Sequence, residues 1–132
     1  MKTSRMSPDH RVGVLIVEDE HEIRGLLAVV FEIEKFKVYQ AQDGIDALEV
    51  FKEHEDDIKL LITDLGLPRL GGVELIEQIR ALKPSVKIIG SSGYGRSNVR
   101  EEVLQAGGDI FLPKPYITKD LINTAKQLLG VV

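Results

Sequence analysis

The chain has 132 residues, 43% of them apolar and 29% charged, with 17 basic against 21 acidic residues and a formal charge of −4. That length suits one compact domain, and the apolar content excludes a disordered chain. An acidic balance with scattered bases argues against a nucleic-acid partner, no run nears the roughly 20 apolar residues of a membrane span, and the lack of cysteine excludes disulfides, thiolate metal sites and a cysteine nucleophile.

Residues 1–10 are polar and aperiodic, without the apolar stretch of a secretory signal, and read as a flexible lead-in to a domain over residues 11–130. The run Val12-Gly13-Val14-Leu15-Ile16-Val17 is nearly unbroken and apolar, as in a strand buried on both faces, and stops at Glu18-Asp19-Glu20. From Glu20 to Glu34, Ile23, Leu26, Leu27, Val30 and Phe31 recur at helical spacing. Phe36 to Gln40 is strand-like, and Asp43 is placed to cap a helix carrying Ala47, Leu48 and Phe51. Ile58 to Thr63 is the next buried strand, again stopped by an acid, Asp64. After a turn rich in glycine and proline, Val73, Leu75, Ile76 and Ile79 form a helical stripe. Val86 to Ile89 predicts a fourth strand running into Ser91-Ser92-Gly93. A helix with Val99, Val103 and Leu104 then ends at Gly107-Gly108. Asp109 to Leu112 is a short fifth strand, and Thr118 is the expected N-cap of a helix with Leu121, Ile122, Ala125, Leu128 and Leu129.

Five strands alternating with five helices predict an α/β, doubly wound parallel sheet. Ligands of such sheets bind outside the carboxyl ends of the strands. Those ends carry Glu18-Asp19, Asp64, Ser91-Ser92 and Leu112-Pro113-Lys114-Pro115, so three carboxylates, one or two hydroxyls and one ammonium converge on one edge. Clustered carboxylates repel unless a cation neutralises them. Mg²⁺, content with one or two carboxylates plus water and a phosphate oxygen, is the expected partner. A lysine and a hydroxyl are what the remaining oxygens of a phosphoryl group would want. Each residue alone has a plainer role: Asp19 or Glu20 as a helix cap, Asp64 as a turn former, Ser91 and Ser92 as loop residues, Lys114 as solvated surface. Their common location is what raises the chemical reading above these.

The blocks Val14-Leu15-Ile16-Val17-Glu18-Asp19-Glu20, Leu61-Ile62-Thr63-Asp64-Leu65-Gly66-Leu67-Pro68 and Leu112-Pro113-Lys114-Pro115-Tyr116 resemble those of bacterial two-component response-regulator receiver domains, in order and spacing, over about Arg11 to Gly130. The resemblance implies a flavodoxin-like (βα)5 sandwich with strand order 2-1-3-4-5. It implies that Asp64 accepts phosphate from a phosphohistidine. Glu18, Asp19, Asp64 and the backbone carbonyl of Gly66 would hold Mg²⁺, or Mn²⁺. Ser92, which stands before the small Gly93 as the family's hydroxyl residue does, and Lys114 would meet phosphoryl oxygens. Ser92 and Phe111 would be the switch residues of an output surface on helix 4, strand 5 and helix 5, and the Lys114-Pro115 bond would be cis. The implied partner is a histidine kinase or histidine phosphotransfer domain in the cytoplasm, with no nucleic acid or membrane. The chain would be a stand-alone receiver or part of a longer protein such as a hybrid sensor kinase. It would catalyse only its own phosphorylation and slow dephosphorylation, and would not be an enzyme otherwise.

Three features depart from the family pattern or modulate it. Arg69-Leu70-Gly71-Gly72 stands where an Asp-Gly pair is common, Gly66 brings no side chain to the acceptor, and the bulky Tyr94 stands where it would shield an acyl phosphate. An aspartate-based phosphatase would need a second Asp two residues after the nucleophile, where this chain has Gly66. A flavin or nucleotide carrier would not put Glu18-Asp19-Glu20 against a phosphate. A degenerate receiver that only binds protein is disfavoured because every site position is chemically competent. His10, His21 and His54 have no helical i, i+4 pairing, so neither a histidine metal site nor an internal phosphodonor is expected.

Overall fold

A computed structural model describes residues 10–93 and 98–131; Tyr94 and the lead-in up to residue 9 lie outside the described residues. Ten elements alternate along the chain: β1 (Gly13–Val17), α1 (His21–Ile33), β2 (Lys37–Ala41), α2 (Gly44–Glu53), β3 (Ile58–Asp64), α3 (Gly72–Leu82), β4 (Lys87–Ser92), α4 (Val99–Ala106), β5 (Ile110–Pro113) and α5 (Thr118–Leu129). The strands form one parallel sheet of order β2-β1-β3-β4-β5. This is the flavodoxin-like doubly wound arrangement.

Side-chain alternation along the central strands explains the three layers. Leu15 and Val17 of β1 and Leu61 of β3 face a cluster with Phe51, Leu75, Ile76, Ile79 and Val103 from α2, α3 and α4. Val14 and Ile16, with Leu60 and Ile62, face Leu27, Phe31, Leu121 and Ile122 from α1 and α5. Both faces are covered, which is why these strands read as continuous apolar runs. Each such fully buried side chain contributes about 1.5–3 kcal/mol of transfer free energy. The outer strand β2 is only half-buried and begins with Lys37, which suits an edge.

Several boundaries differ from the sequence reading. β4 starts after Val86 and runs through Ser92, because its backbone pairs with β3 as far as Asp64↔Ser91 and with β5 as far as Ser92↔Pro113. Thr118 does not cap α5; it is the first helical residue, following an extended Ile117, and no side chain caps that end. Nor does Glu20 cap α1 through its side chain. The amide of Glu20 instead donates to Oε2 of Glu18 at 3.0 Å. Asp43 does cap α2, accepting from the amide of Asp46 at 2.8 Å. The apolar stripe of α1 is split. Leu27 and Phe31 are buried, whereas Ile23, Leu26, Val29 and Ile33 are exposed, because the core covers only the arc centred on Leu27 and Phe31. Leu104 is likewise exposed on α4, beside buried Val99 and Val103.

Arg80 ties the far end of α3 to its neighbours. Its guanidinium donates to the carbonyls of Gly107, Pro84 and Val86 and to the carboxylate of Asp109. These bonds fix the turn that leads from α4 into β5.

Candidate functional site

The ends of β1 and β3 and the residues after β5 meet at one corner. Carboxylate oxygens of Glu18, Asp19 and Asp64 all lie within 4.8 Å of one another. Glu18 is buried, Asp64 half-buried and Asp19 exposed. The ammonium of Lys114 sits against this group, 3.1 Å from Oε1 of Glu18 and 3.4 Å from Oδ1 of Asp64. The Lys114–Pro115 peptide is cis.

Burial dictates the electrostatics. It pushes the Glu18 carboxyl above its ordinary value of 4.5, and repulsion from Asp64 adds to this; the Glu20 amide and Lys114 only partly offset it. For Lys114, burial works against the ammonium, but attraction to Asp64 and Glu18 outweighs it and the pKa is raised above 10.5. Burial also raises the Tyr116 hydroxyl. The Lys114 ammonium is thus held against a partly desolvated acidic pocket. The pocket's donors are all oxygens, with no nitrogen or sulfur among the three residues, which fits a hard divalent ion such as Mg²⁺.

The backbone holds this corner in place. Arg24 donates to the carbonyl of Glu18 at 2.7 Å, and the amide of Leu65, next to Asp64, donates to the carbonyl of Ser91 at 3.0 Å. Gly66 lies so close that a β-carbon there would sit 3.9 Å from Oδ2 of Asp64. The two serines differ. Ser91 is buried, and its hydroxyl has no hydrogen-bond partner among the described residues, whereas Ser92 is half-buried at the end of β4. The carbonyl of Ser92 accepts from the amide of Lys114 at 2.9 Å, which couples the two strand ends. Phe111 is 8% exposed and packs in the cluster that contains Val99 and Val103; the guanidinium of Arg100 lies 5.5 Å from its ring centroid.

The structure therefore brings together Glu18, Asp19, Asp64 and Lys114, with Gly66 adjoining Asp64 and Ser92 bonded to the backbone of Lys114. Phe111 stands away from this cluster, on β5 beside α4. Sequence reading overlooked three contributors. Arg24 acts on a backbone carbonyl six residues earlier, for which no sequence signal exists. Arg69 donates twice to Asp43, at 2.9 and 3.0 Å, at a position noticed only as a departure from a pattern. Beside Lys114 there is also an open cleft of about 430 Å³, lined in part by Ile23, Leu26, Pro115 and Tyr116. The exposure of Ile23 and Leu26 was hidden by their helical spacing.

The five-stranded 2-1-3-4-5 parallel sheet, with an acidic pocket at its carboxyl edge, is a flavodoxin-like fold. The chain belongs to the response regulator receiver domain family, whose model matches residues 14–126, and is a receiver domain of two-component signal transduction. It is 28% identical to sporulation initiation phosphotransferase F of Bacillus subtilis (strain 168) over 116 residues, 88% of this chain and 92% of that protein. It is 30% identical to the sensor kinase CckA of Brucella abortus (strain 2308) over 116 residues, but spans only 12% of that kinase. Among solved structures, a CheY-like response regulator receiver domain protein from Methanospirillum hungatei JF-1 superposes with a TM-score of 0.84 at 29% identity, covering 91% of this chain and 94% of that one. The receiver domain of the response regulator Ssk1 of Saccharomyces cerevisiae, co-crystallised with the histidine phosphotransfer signaling protein Ypd1, superposes with a TM-score of 0.81 at 25% identity, covering 89% of this chain and 88% of that one. No described helix is long and apolar enough to cross a membrane.

Proposed function

We propose that this receiver domain takes a phosphoryl group from a phosphohistidine onto Asp64. The observation that carries this reading is the Lys114 ammonium lying between the carboxylates of Glu18 and Asp64, with Asp19 at the open side. A carboxylate oxygen of Asp64 attacks phosphorus, and the phosphorus–nitrogen bond to the donor imidazole breaks with its electron pair returning to nitrogen. Lys114 pairs with one phosphoryl oxygen and the Ser92 hydroxyl donates to another, stabilising charge spread over the transferring group. Mg²⁺, or Mn²⁺, held by Glu18, Asp19, Asp64 and the Gly66 carbonyl, would supply further neutralisation of that charge. The product is an acyl phosphate, which water slowly hydrolyses, so the domain acts as a transient signal store and not as an enzyme on other substrates.

The phosphoryl group adds negative charge and acceptor oxygens at the end of β3, beside the end of β4. We take the response to run from Ser92 to Phe111 on the adjacent strand, and from there to the α4–β5–α5 surface. Val99 and Val103 pack beside Phe111 in the same cluster, and a difference of a few kcal/mol between two packings suffices for a usable switch.

The donor is a histidine kinase or a histidine phosphotransfer domain in the cytoplasm. Exposed Ile23 and Leu26 border the cleft beside Lys114, an apolar rim on which such a partner can seat while its histidine reaches Asp64. The receiver domain of Ssk1 taken with Ypd1 supports this class of partner. Leu26→Asp should slow transfer from a phosphorylated histidine phosphotransfer domain at least tenfold while leaving labelling by acetyl phosphate unchanged. Equal slowing of both would place the defect in the pocket and refute the docking rim.

A further inference from the structure

The loop that follows Asp64 is pinned to α2 by a pair of side chains. Nε and Nη2 of Arg69 donate to Oδ2 and Oδ1 of Asp43 at 2.9 and 3.0 Å, a two-pronged contact that lysine cannot reproduce. Asp43 is buried and also caps α2, so its position is set by the helix and not by the loop. Arg69 and the Asp46 amide hold its carboxyl below the usual range. Arg69 itself has φ of +68°, a left-handed conformation that costs an ordinary residue energy and persists where surrounding contacts impose it.

The next residue is held as well. A β-carbon on Gly44, the first residue of α2, would collide with the backbone of Leu70. At the other end, the amide of Leu65 donates to Ser91 and that of Gly72 to Leu65 at 3.1 Å. Between these anchors only Gly66, Leu67 and Pro68 span the gap, and Gly66 adjoins the Asp64 carboxylate.

We infer that Arg69 is a positioning residue: through its two-pronged contact with Asp43 it holds the loop after β3 so that the Gly66 carbonyl is pre-set for a divalent cation in the acidic pocket. The inference rests on the proposed metal-binding role of that pocket. Its consequence is distinguishable by sign. Removing Arg69 deletes a positive charge and leaves Asp43 unneutralised, so Coulomb attraction alone would tighten Mg²⁺ binding. Loss of pre-organisation loosens it.

The test is a Mg²⁺ titration of the whole chain, followed by amide NMR shifts, for the unsubstituted protein, Arg69→Gly, Arg69→Lys and Asp19→Ala. Glycine accepts the positive φ freely, so Arg69→Gly keeps the fold while removing the clamp. The expected result is a Mg²⁺ dissociation constant raised at least fivefold in Arg69→Gly, a smaller rise in Arg69→Lys, and near abolition of binding in Asp19→Ala. A dissociation constant for Arg69→Gly equal to or below that of the unsubstituted protein, with Asp19→Ala still defective, would overturn the role of Arg69 and leave the pocket standing. Absence of any Mg²⁺ response in the unsubstituted protein would overturn both.

Discussion

Replacing Lys114 by methionine removes the ammonium from the pocket and keeps most of the side-chain volume. Glu18 is then left without its 3.1 Å partner while its side chain is only 4% exposed, and Asp64 loses its 3.4 Å partner. Breaking one side of a buried pair costs about 3–5 kcal/mol. Lys114 is 24% exposed, so water screens part of the loss, and a cost of about 2–3 kcal/mol is expected. For a domain of this size that corresponds to a melting temperature lower by about 8–12 °C, at about 4 °C per kcal/mol. The deficit should depend on pH with a definite sign. Because the folded-state pKa of Glu18 is raised above 4.5, the stability linked to this group is complete below that value and is lost as pH rises through the raised pKa. Without Lys114 the pKa rises further, so the variant suffers most at pH 7 and recovers most on acidification. Thermal unfolding followed by circular dichroism in EDTA, at pH 7 and near pH 5, measures this directly. A variant that melts with the unsubstituted protein at pH 7, or a deficit that widens near pH 5, would refute the assignment of Lys114 as the pocket's internal counter-cation.

Other outcomes follow from the same geometry. Mg²⁺ at a hundred times its dissociation constant should stabilise the folded protein by about 2.7 kcal/mol through mass action; in Asp19→Ala the rise in melting temperature should shrink to near zero, whatever the baseline. Beryllofluoride, a mimic of the phosphoryl group, should shift amide resonances at Ser92 and across residues 98–112. Shifts confined to the neighbours of Asp64 would refute transmission through Phe111.

Much of this was legible in the sequence because burial on both sheet faces leaves a strong mark. Val14 to Val17 and Leu60 to Ile62 have no polar interruption, and the acids beyond them had to fall on one edge once all strands ran parallel. Asp43 announced its helix because a cap acts within three residues. Harder features involve contacts that spacing cannot encode. Ile23 and Leu26 have the periodicity of core residues, yet they lie off the arc that the sheet covers. Arg80 and Arg69 bond to groups 27 and 26 residues away, so only the folded chain reveals what they hold. Thr118 looked like a cap by residue type, but the extended backbone at Ile117 enters the helix one residue earlier.

The claim on which the rest depends is that Asp64 carries the phosphoryl group. Intact-mass analysis after incubation with acetyl phosphate and Mg²⁺ tests it most directly, on the unsubstituted protein and on Asp64→Asn, which preserves shape while removing the nucleophilic carboxylate. The expected result is the added mass of one phosphoryl group on the unsubstituted protein, lost in EDTA and absent from Asp64→Asn. Persistent labelling of Asp64→Asn at the same level would contradict it and move the acceptor to another residue.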